Sequence, residues 1–163
     1  MGSTIYNIPY LLKLDNKVDL DRLAEAIDST VEAHPYLKTR LFMDDNGNVL
    51  QKRNDGLSYK TPILNGMNRD TLVRPYMLFN EQLFRFEIHR TCDGNYLFLD
   101  IHHIVADGTS LGIILNDINR AYSGEKLEVE EYTSYDLALD NRDALASDAY
   151  KNAENYYKSV FEN

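Results

Sequence analysis

Apolar residues recur along this chain with two different periods, and the change of period predicts its elements. The segment 4–15 is apolar and β-prone, with a proline early in it, so it is predicted as a strand. After Asp19, apolar side chains return every three or four residues up to Pro35. This spacing predicts an amphipathic helix with Asp19 as its N-cap and Pro35 at its end.

Two hairpins are predicted in the middle of the chain. Asn46-Gly47 separates two β-prone runs within 37–53, and this dipeptide favours the positive φ angles of a tight turn. Asp93-Gly94 separates two further runs within 82–103. The later of these runs, 96–101, is apolar on both faces, which predicts a central strand.

The remaining segments favour helices. A short helix is predicted around 68–76, ended or kinked at Pro75, and a longer one over 108–124 with Gly124 as its stop. Two more helical patterns follow in 134–145 and 147–163. The order of elements predicts an α+β fold, in which helices pack on a mixed and largely antiparallel sheet.

Length and charge narrow the classes of partner. The 163 residues match one ordinary domain, and 26 acidic residues outnumber 17 basic ones. Because the basic residues are scattered singly, we expect no basic patch and no binding to nucleic acid or anionic membrane; they include Lys13, Lys17, Arg22, Lys38, Arg40, Lys52 and Arg53. One cysteine, the lack of a secretory signal and the lack of an apolar run of about 20 residues favour a cytoplasmic location.

The stretch HHIVADG, residues 102–108, carries the strongest chemical signal. His102 and His103 end a buried strand, where their side chains point to opposite faces, so one is predicted to be structural and the other to face a cleft. A neutral imidazole, with a pKa of about 6.5, can accept a proton near physiological pH. Asp107 suits either a charge partner or the N-cap of the next helix, and Gly108 allows a positive φ or close approach by a ligand.

Other interpretations of this loop remain open from the residues alone. Both histidines could be buried without any chemical role. A metal site is disfavoured, because adjacent strand histidines diverge and no third ligand lies at a familiar spacing.

HHIVADG fits the His-His-x-x-x-Asp-Gly motif, and the chain resembles the condensation domains of nonribosomal peptide synthetases, enzymes of antibiotic and secondary-metabolite biosynthesis. HHIVADGTSLGIIL is similar to the loop and helix of that family, within a wider superfamily of chloramphenicol acetyltransferase-like folds. An upstream segment resembles the family's RHExLRTxF motif: His34, Leu37 and Thr39 match it, Lys38 replaces an arginine, and Ala33 and Pro35 depart from it.

The resemblance implies that residues 1–163 form a single N-terminal lobe, an α/β sandwich of the chloramphenicol acetyltransferase type. The family's opening helix is then absent before Thr4, and its C-terminal lobe is absent after Asn163. Since the active centre lies between two lobes, we expect the isolated lobe to be inactive and to expose an apolar face.

The resemblance also implies a reaction. A donor acyl or peptidyl thioester, held on the phosphopantetheine of one carrier protein, is attacked by the amine of an acceptor on another carrier, and no cofactor is bound tightly. His103 is the expected base or positioning group. His102 and Asp107 are expected to shape the loop, and Gly108 to leave room for the pantetheine arm or substrate. Asp107 is expected to pair with an arginine, either Arg40 or Arg85 or one in the missing lobe.

Three alternatives stay open. The chain could be a free-standing CoA-dependent acyltransferase, a non-catalytic docking or gating lobe, or part of an epimerization domain, which shares the motif. The intact histidine pair speaks against the heterocyclizing branch of the family, which has aspartates there.

Overall fold

A computed structural model describes residues 3–161 of the chain. In sequence order its elements are β1 (Asn7–Lys13), α1 (Leu20–Ala33), β2 (Thr39–Met43), β3 (Val49–Arg53), β4 (Ile63–Asn65), β5 (Phe84–Thr91), β6 (Gly94–His102), α2 (Gly108–Tyr122), α3 (Ser134–Ala146) and α4 (Asp148–Phe161). Two 3₁₀ turns, Pro35–Lys38 and Arg69–Thr71, interrupt the connections. The chain divides into two compact units, one ending at Val129 and the other beginning at Glu130.

The first unit is organised around a four-stranded sheet in the order β1-β6-β5-β4. Strand β6 is antiparallel to both of its neighbours, whereas β4 runs parallel to β5. Every residue of β6 from Tyr96 to His102 is buried, as expected for a central strand. The predicted α+β architecture with a mixed, mostly antiparallel sheet is therefore confirmed.

Helices α1 and α2 cover one face of this sheet and form the hydrophobic core with it. Ile27 and Val31 of α1 pack with Phe86 and Leu99 of the strands, and all four side chains are fully buried. The predicted N-cap of α1 is confirmed, because the Asp19 carboxylate accepts hydrogen bonds from the backbone N–H groups of the next turn at 3.1 Å. The apolar side chains that form the hydrophobic core therefore lie between this face of the sheet and the two helices.

Both predicted hairpins form, but their turns differ in detail from the expectation. Between β2 and β3 only Gly47 has a positive φ, of 83°, because the Asp44 carboxylate holds the loop by accepting from the N–H groups of Asn46 and Asn48. Between β5 and β6 the two loop residues are Cys92 and Asp93, one position earlier than predicted, and Gly94 is already paired with Thr91.

Gly94 is nonetheless required in its place. Its φ is 139°, and a Cβ atom at this position would lie 2.9 Å from Cε of Lys13. A side chain there would strain the backbone at this positive φ and would also require the end of the Lys13 side chain to move aside.

The predicted short helix around 68–76 is reduced to the single 3₁₀ turn Arg69–Thr71. The rest of this region forms no helix or extended strand before β5. Instead residues 66–80, here called the covering segment, contact the sheet face opposite the helices: the Arg69 guanidinium lies over the Tyr96 ring, and the Arg74 carbonyl accepts from Asn7. Asn7 and Arg85 of the sheet donate to backbone carbonyls of this segment, in place of the hydrogen bonds that a helix would make.

The second unit contains α3 and α4. The Thr133 hydroxyl and the Asp136 carboxylate form a capping box at the start of α3, and the Ser147 hydroxyl accepts from the Tyr150 N–H at the start of α4. Both helices lie where the sequence pattern predicts them.

Candidate active site

The two histidines lie on a short, well-anchored turn. Strand β6 ends at His102, and the Val105 N–H donates to the His102 carbonyl at 3.1 Å, which closes the turn around His103. The His103 N–H donates to the Tyr6 carbonyl at 2.7 Å, extending the pairing of β1 and β6 by one residue. Val105 and the following alanine are buried. The turn is thus fixed on both sides by strand pairing and core packing.

His102 is the structural member of the pair. Its side chain is buried, and its ring packs near the rings of Tyr6 and Tyr76, with centroid distances of 6.1 and 5.9 Å. Nδ1 accepts from the Ile104 N–H at 3.2 Å, so the neutral ring carries its proton on Nε2. Burial, together with the nearby His103, lowers the pKa of His102 and favours this neutral form.

His103 is the exposed member of the pair. Its imidazole makes no hydrogen bond to any residue from Ser3 to Phe161, so both ring nitrogens are available to a bound molecule. A cleft of about 470 Å³, called the histidine cleft, is lined by Tyr6, Leu78, His102, His103 and Ile104. Apart from the imidazoles, this wall is apolar or aromatic. The pair therefore divides as its strand geometry predicts, with one buried ring and one presented ring.

Asp107 and Gly108 begin α2 and do not line this cleft. Asp107 is the N-cap: its Oδ1 accepts from the Ser110 N–H at 2.8 Å and from the Ser110 hydroxyl at 2.7 Å, and these bonds lower the pKa of Asp107. Gly108 does not have a positive φ, and a Cβ there would meet no atom within 4 Å. The capping interpretation of Asp107 is confirmed, and the fold itself does not require glycine at 108.

Neither arginine considered as a partner of Asp107 is paired with it. Arg85 forms an ion pair with Asp100 at 2.8 Å, and Arg40 donates to the Asn80 carbonyl at 3.2 Å. Within residues 3–161 the Asp107 carboxylate is satisfied by its own helix instead. The expectation of an Asp107–arginine pair is thus not met in the described part of the chain.

A buried polar network beneath the covering segment supports the histidine turn. Asp100 has no exposed surface, and its Oδ2 accepts from Arg85 Nη1 and from Asn7 Nδ2, each at 2.8 Å. The Arg85 guanidinium also donates to two carbonyls of the covering segment, and it stacks 3.7 Å from the centroid of the Tyr76 ring. Tyr76 in turn packs edge-on against His102. The network therefore connects the buried Asp100–Arg85 ion pair, through the Tyr76 ring, to the His102 ring at the histidine turn.

From the sequence, Arg85 is only a candidate partner of Asp107 and Asp100 has no assigned role, although one signal was available. Asp100 is the single charged residue in the otherwise apolar run 96–101, and a charge buried in a central strand requires a partner. The direct cross-strand pairing of Arg85 with Asp100 supplies that partner. Only the register of β5 against β6 identifies it.

The structure also corrects the expectation that basic residues are scattered singly. The β2–β3 hairpin places Arg40 directly opposite Lys52, with Arg53 next along the strand. A second cleft of about 370 Å³, called the basic cleft, is lined by Arg40, Phe42, Lys52, Arg53, Asn54 and Asn80. Pairing across the hairpin brings together cations that lie twelve residues apart in sequence.

Among residues 3–161, no group of three or more His, Cys, Asp or Glu side chains is arranged to hold a metal ion. In the same part of the chain, no helix combines the length and apolar character of a membrane span.

Comparison with known proteins relates this geometry to characterised relatives. The family model described as "Condensation domain" matches residues 1–163. Surfactin synthase subunit 2 of Bacillus subtilis (strain 168) is 31% identical over 167 residues, which cover 98% of this chain but 4% of that protein. The chain thus spans a small fraction of the length of this relative.

Two solved structures show the same fold at low sequence identity. The starter condensation domain of rhizomide synthetase RzmA matches with a TM-score of 0.78 and 15% identity, over 98% of this chain and 43% of that one. The X-domain in its complex with OxyB from teicoplanin biosynthesis matches with a TM-score of 0.68 and 21% identity, over 82% of this chain and 32% of that one.

Proposed function

Because this chain belongs to the condensation-domain family, we propose that it contributes one wall of an amide-forming site, with His103 as the residue that contacts the reacting amine. The observation that carries the proposal is the exposed imidazole of His103, held on a rigid turn at the edge of an apolar cleft. A group that must meet a substrate needs both this exposure and this fixed position.

The proposed reaction joins an acceptor amine to a donor thioester. The amine nitrogen forms a C–N bond with the thioester carbonyl, the C–S bond breaks, and the proton released by nitrogen ends on the departing thiolate of the donor carrier. An α-amine has a pKa of about 8 and attacks only when neutral. His103 can either accept the amine proton as general base or hold the amine and the tetrahedral state by hydrogen bonding.

The remaining motif residues are proposed to shape the loop that presents His103. His102, neutral and bonded to the Ile104 N–H, fixes the turn that presents His103. Asp107 fixes the start of α2 by capping it. The missing side chain of Gly108 leaves open space beside the loop, which we assign to the pantetheine arm or the substrate.

The partners follow from the proposed reaction. Peptidyl and aminoacyl carrier proteins present both substrates on phosphopantetheine, and the C-terminal lobe of a complete condensation domain forms the opposite wall. One lobe alone is therefore expected to be inactive. The expected location of such a synthetase is the cytoplasm.

The test is His103→Ala in the native-length protein, with amide formation measured between donor- and acceptor-loaded carriers. Removing a general acid–base residue lowers turnover by about 10²- to 10⁴-fold. Thr109→Ala, an exposed change on the same loop region, is the matched control and should retain turnover. Near-normal amide formation by folded His103→Ala would exclude His103 from the mechanism.

The pH dependence of the same assay distinguishes the two roles of His103. If His103 is a general base, the acidic limb of the wild-type pH–rate profile depends on both the imidazole and the amine, and in His103→Ala it should become less steep because only the amine remains. A positioning role predicts an unchanged profile at a lower plateau, set by the acceptor amine alone.

A second candidate is a non-catalytic docking lobe. The structural match to the X-domain from teicoplanin biosynthesis favours this alternative, because that protein was solved in a complex with OxyB. Wild-type native-length protein that makes no amide but binds a partner protein stably would support docking. Tight CoA binding by a trimer would instead support a free-standing acyltransferase, and loss of substrate stereochemistry without amide formation would support epimerization.

A further inference from the structure

The basic cleft on the β2–β3 hairpin is built for an anion. We propose that Arg40 and Lys52 bind a phosphate group, and that this phosphate belongs to the phosphopantetheine arm that delivers substrate to the histidine cleft. The identification of the arm rests on the proposed function, whereas the phosphate site itself does not.

Two like charges face each other across the β2–β3 hairpin. Arg40 and Lys52 are direct partners in the antiparallel hairpin, which places their Cβ atoms about 4.5–5.5 Å apart on one face. Like charges directly opposite each other destabilise a strand pair. Within residues 3–161 no carboxylate forms an ion pair with either side chain, so the repulsion is uncompensated in the free protein. A bound anion between the two cations would compensate it.

Arg40 also carries a hydrogen-bond donor that has no acceptor among the described residues. Nε of Arg40 is buried and has no hydrogen-bond partner among the described residues. A buried donor without an acceptor is unfavourable, and such groups in native proteins are normally satisfied by water, an ion or a ligand. The neighbouring Nη1 of Arg40 is fixed by the Asn80 carbonyl at 3.2 Å, so the guanidinium is held in the cleft rather than free to swing into solvent.

The chemistry of the cleft indicates the kind of ligand. The chain as a whole carries a net charge of −9, so two neighbouring cations without an ion-pair partner run against its overall charge. Arg53 also lines the cleft but is already paired with Asp55, which leaves two positive charges for the ligand. A phosphate, with its several acceptor oxygens, matches a guanidinium fork beside an ammonium group. Phe42 adds an apolar surface beside them, which suits a phosphate carried on an organic chain.

The histidine cleft and the basic cleft lie close together. Leu78 lines the histidine cleft and Asn80 lines the basic cleft, so their Cα atoms are at most about 7 Å apart along the chain. Between them, Phe79 bridges to Leu41 of β2, and the Asn80 N–H donates to the Leu41 carbonyl at 2.8 Å. This connection fixes the hairpin beside the histidine turn. A molecule with its phosphate in one cleft can therefore extend into the other.

The experiment compares three probes on the full 163-residue chain at constant ionic strength: phosphopantetheine, inorganic phosphate and pantetheine, which lacks the phosphate. Binding is followed by calorimetry and by backbone amide shifts of β2 and β3. We expect phosphopantetheine and phosphate to bind at the hairpin and pantetheine to bind at least about tenfold more weakly, because one charge-assisted contact corresponds to a factor of ten or more. Equal binding of pantetheine, or phosphate shifts outside the hairpin, would overturn the site.

Lys52→Gln is the decisive variant, because Lys52 is exposed and its replacement leaves the fold unperturbed. Phosphopantetheine affinity should fall about tenfold, while the Tm measured without phosphate should rise as the repulsion with Arg40 is removed. Lys126→Gln makes the same charge change at an exposed position outside the cleft and should alter neither value. Unchanged affinity in Lys52→Gln would contradict the proposal.

Two further outcomes distinguish the phosphate site itself from its proposed occupation by the phosphopantetheine arm. Phosphopantetheine that binds more tightly than inorganic phosphate supports the carrier arm as the source; equal affinity for the two overturns the arm and assigns the site to free phosphate. In the native-length protein, Lys52→Gln should raise the KM for carrier-bound substrate and leave kcat near normal. If wild-type protein forms no amide but still binds phosphopantetheine at the hairpin, the proposed function fails while the phosphate site stands.

Discussion

The two faces of strand β6 serve the molecule in different ways. Leu97, Leu99 and Ile101 point toward α1 and α2 and belong to one continuous apolar core. On the opposite face, Asp100 and His102 are equally buried but contact polar and aromatic side chains beneath the covering segment. One face of β6 thus stabilises the fold by apolar packing, and the other face orients the histidine turn.

The polar face shows why burial alone does not identify a residue's role. The partly exposed Arg74 of the covering segment pairs with Glu87 of β5. The buried Arg85–Asp100 pair lies within the sheet, and Arg85 joins it to the segment by donating to two of its carbonyls. Buried ion pairs contribute little net stability, because desolvation offsets much of their attraction. We interpret these pairs as a means of fixing Tyr76 and therefore His102, and the predictions below test the difference between the two faces.

The largest effect is expected on the apolar face. Phe86→Ala removes a fully buried ring that packs in the core opposite Leu99, and should lower the free energy of unfolding by about 3–5 kcal/mol. Chemical denaturation of the 163-residue chain measures it. Phe161→Ala, at an exposed position of α4, is the control and should change little. A loss below about 1 kcal/mol for Phe86→Ala would contradict the assignment of this face as the main source of stability.

A smaller effect is expected on the polar face, and it should depend on pH. Arg85→Met leaves the Asp100 carboxylate buried without its cation, at a cost of about 1–3 kcal/mol. Burial already raises the pKa of Asp100, and loss of Arg85 removes an opposing influence. A carboxyl with a raised folded pKa stabilises fully below its unfolded pKa of about 3.9 and loses that contribution as pH rises. The variant should therefore be less destabilised at pH 5 than at pH 8.

The control for Arg85→Met is the double variant with Asp100→Leu, which removes both charges. Its stability should recover part of the loss, because no unpaired buried charge remains. The signature of orientation is separate: ring signals of His102 should shift in folded Arg85→Met, as Tyr76 loses the stacked guanidinium. Unshifted His102 signals would contradict the link between the ion pair and the turn.

Local patterns predicted most of the fold, since they act within one element. The period of apolar residues located α1 and α2, Asp19 was identified as a cap from its side chain alone, and the doubly apolar run located β6 at the centre of the sheet. The turn at Cys92-Asp93 was displaced by one residue, because strand register depends on cross-strand pairing as well as on the turn sequence.

The candidate site was only partly predictable for the same reason. Opposite faces for His102 and His103 follow from strand geometry, and Asp107 was recognisable as a cap. The Asp100–Arg85 pair and the opposition of Arg40 and Lys52 depend on which strands become neighbours. Sequence spacing carries no such information, and the expectation of scattered basic residues failed on this point.

A modest effect is expected from the cap of the histidine loop. Asp107→Ala removes both hydrogen bonds to Ser110 and should lower Tm by about 2–4 °C, whereas Asp107→Asn keeps a good capping side chain and should unfold near the wild-type temperature. Thermal unfolding measures both. If Asp107→Asn in the native-length protein is stable but inactive, the Asp107 charge has a role beyond capping; full activity would leave capping as its role.

The smallest effect is expected from the protonation of His102, which links the polar face to pH. Burial lowers the pKa of His102, so the neutral ring stabilises the fold fully above its unfolded pKa of about 6.5, and this contribution is lost as pH falls through the folded pKa. Stability measured from pH 7.5 down to pH 5 should therefore decline less in His102→Asn than in wild type. The other three histidines are present in both proteins, so any contribution they make cancels in the difference. An identical decline in the two proteins would show that His102 is not held neutral by its burial, and the polar face would then orient the turn without sensing its charge.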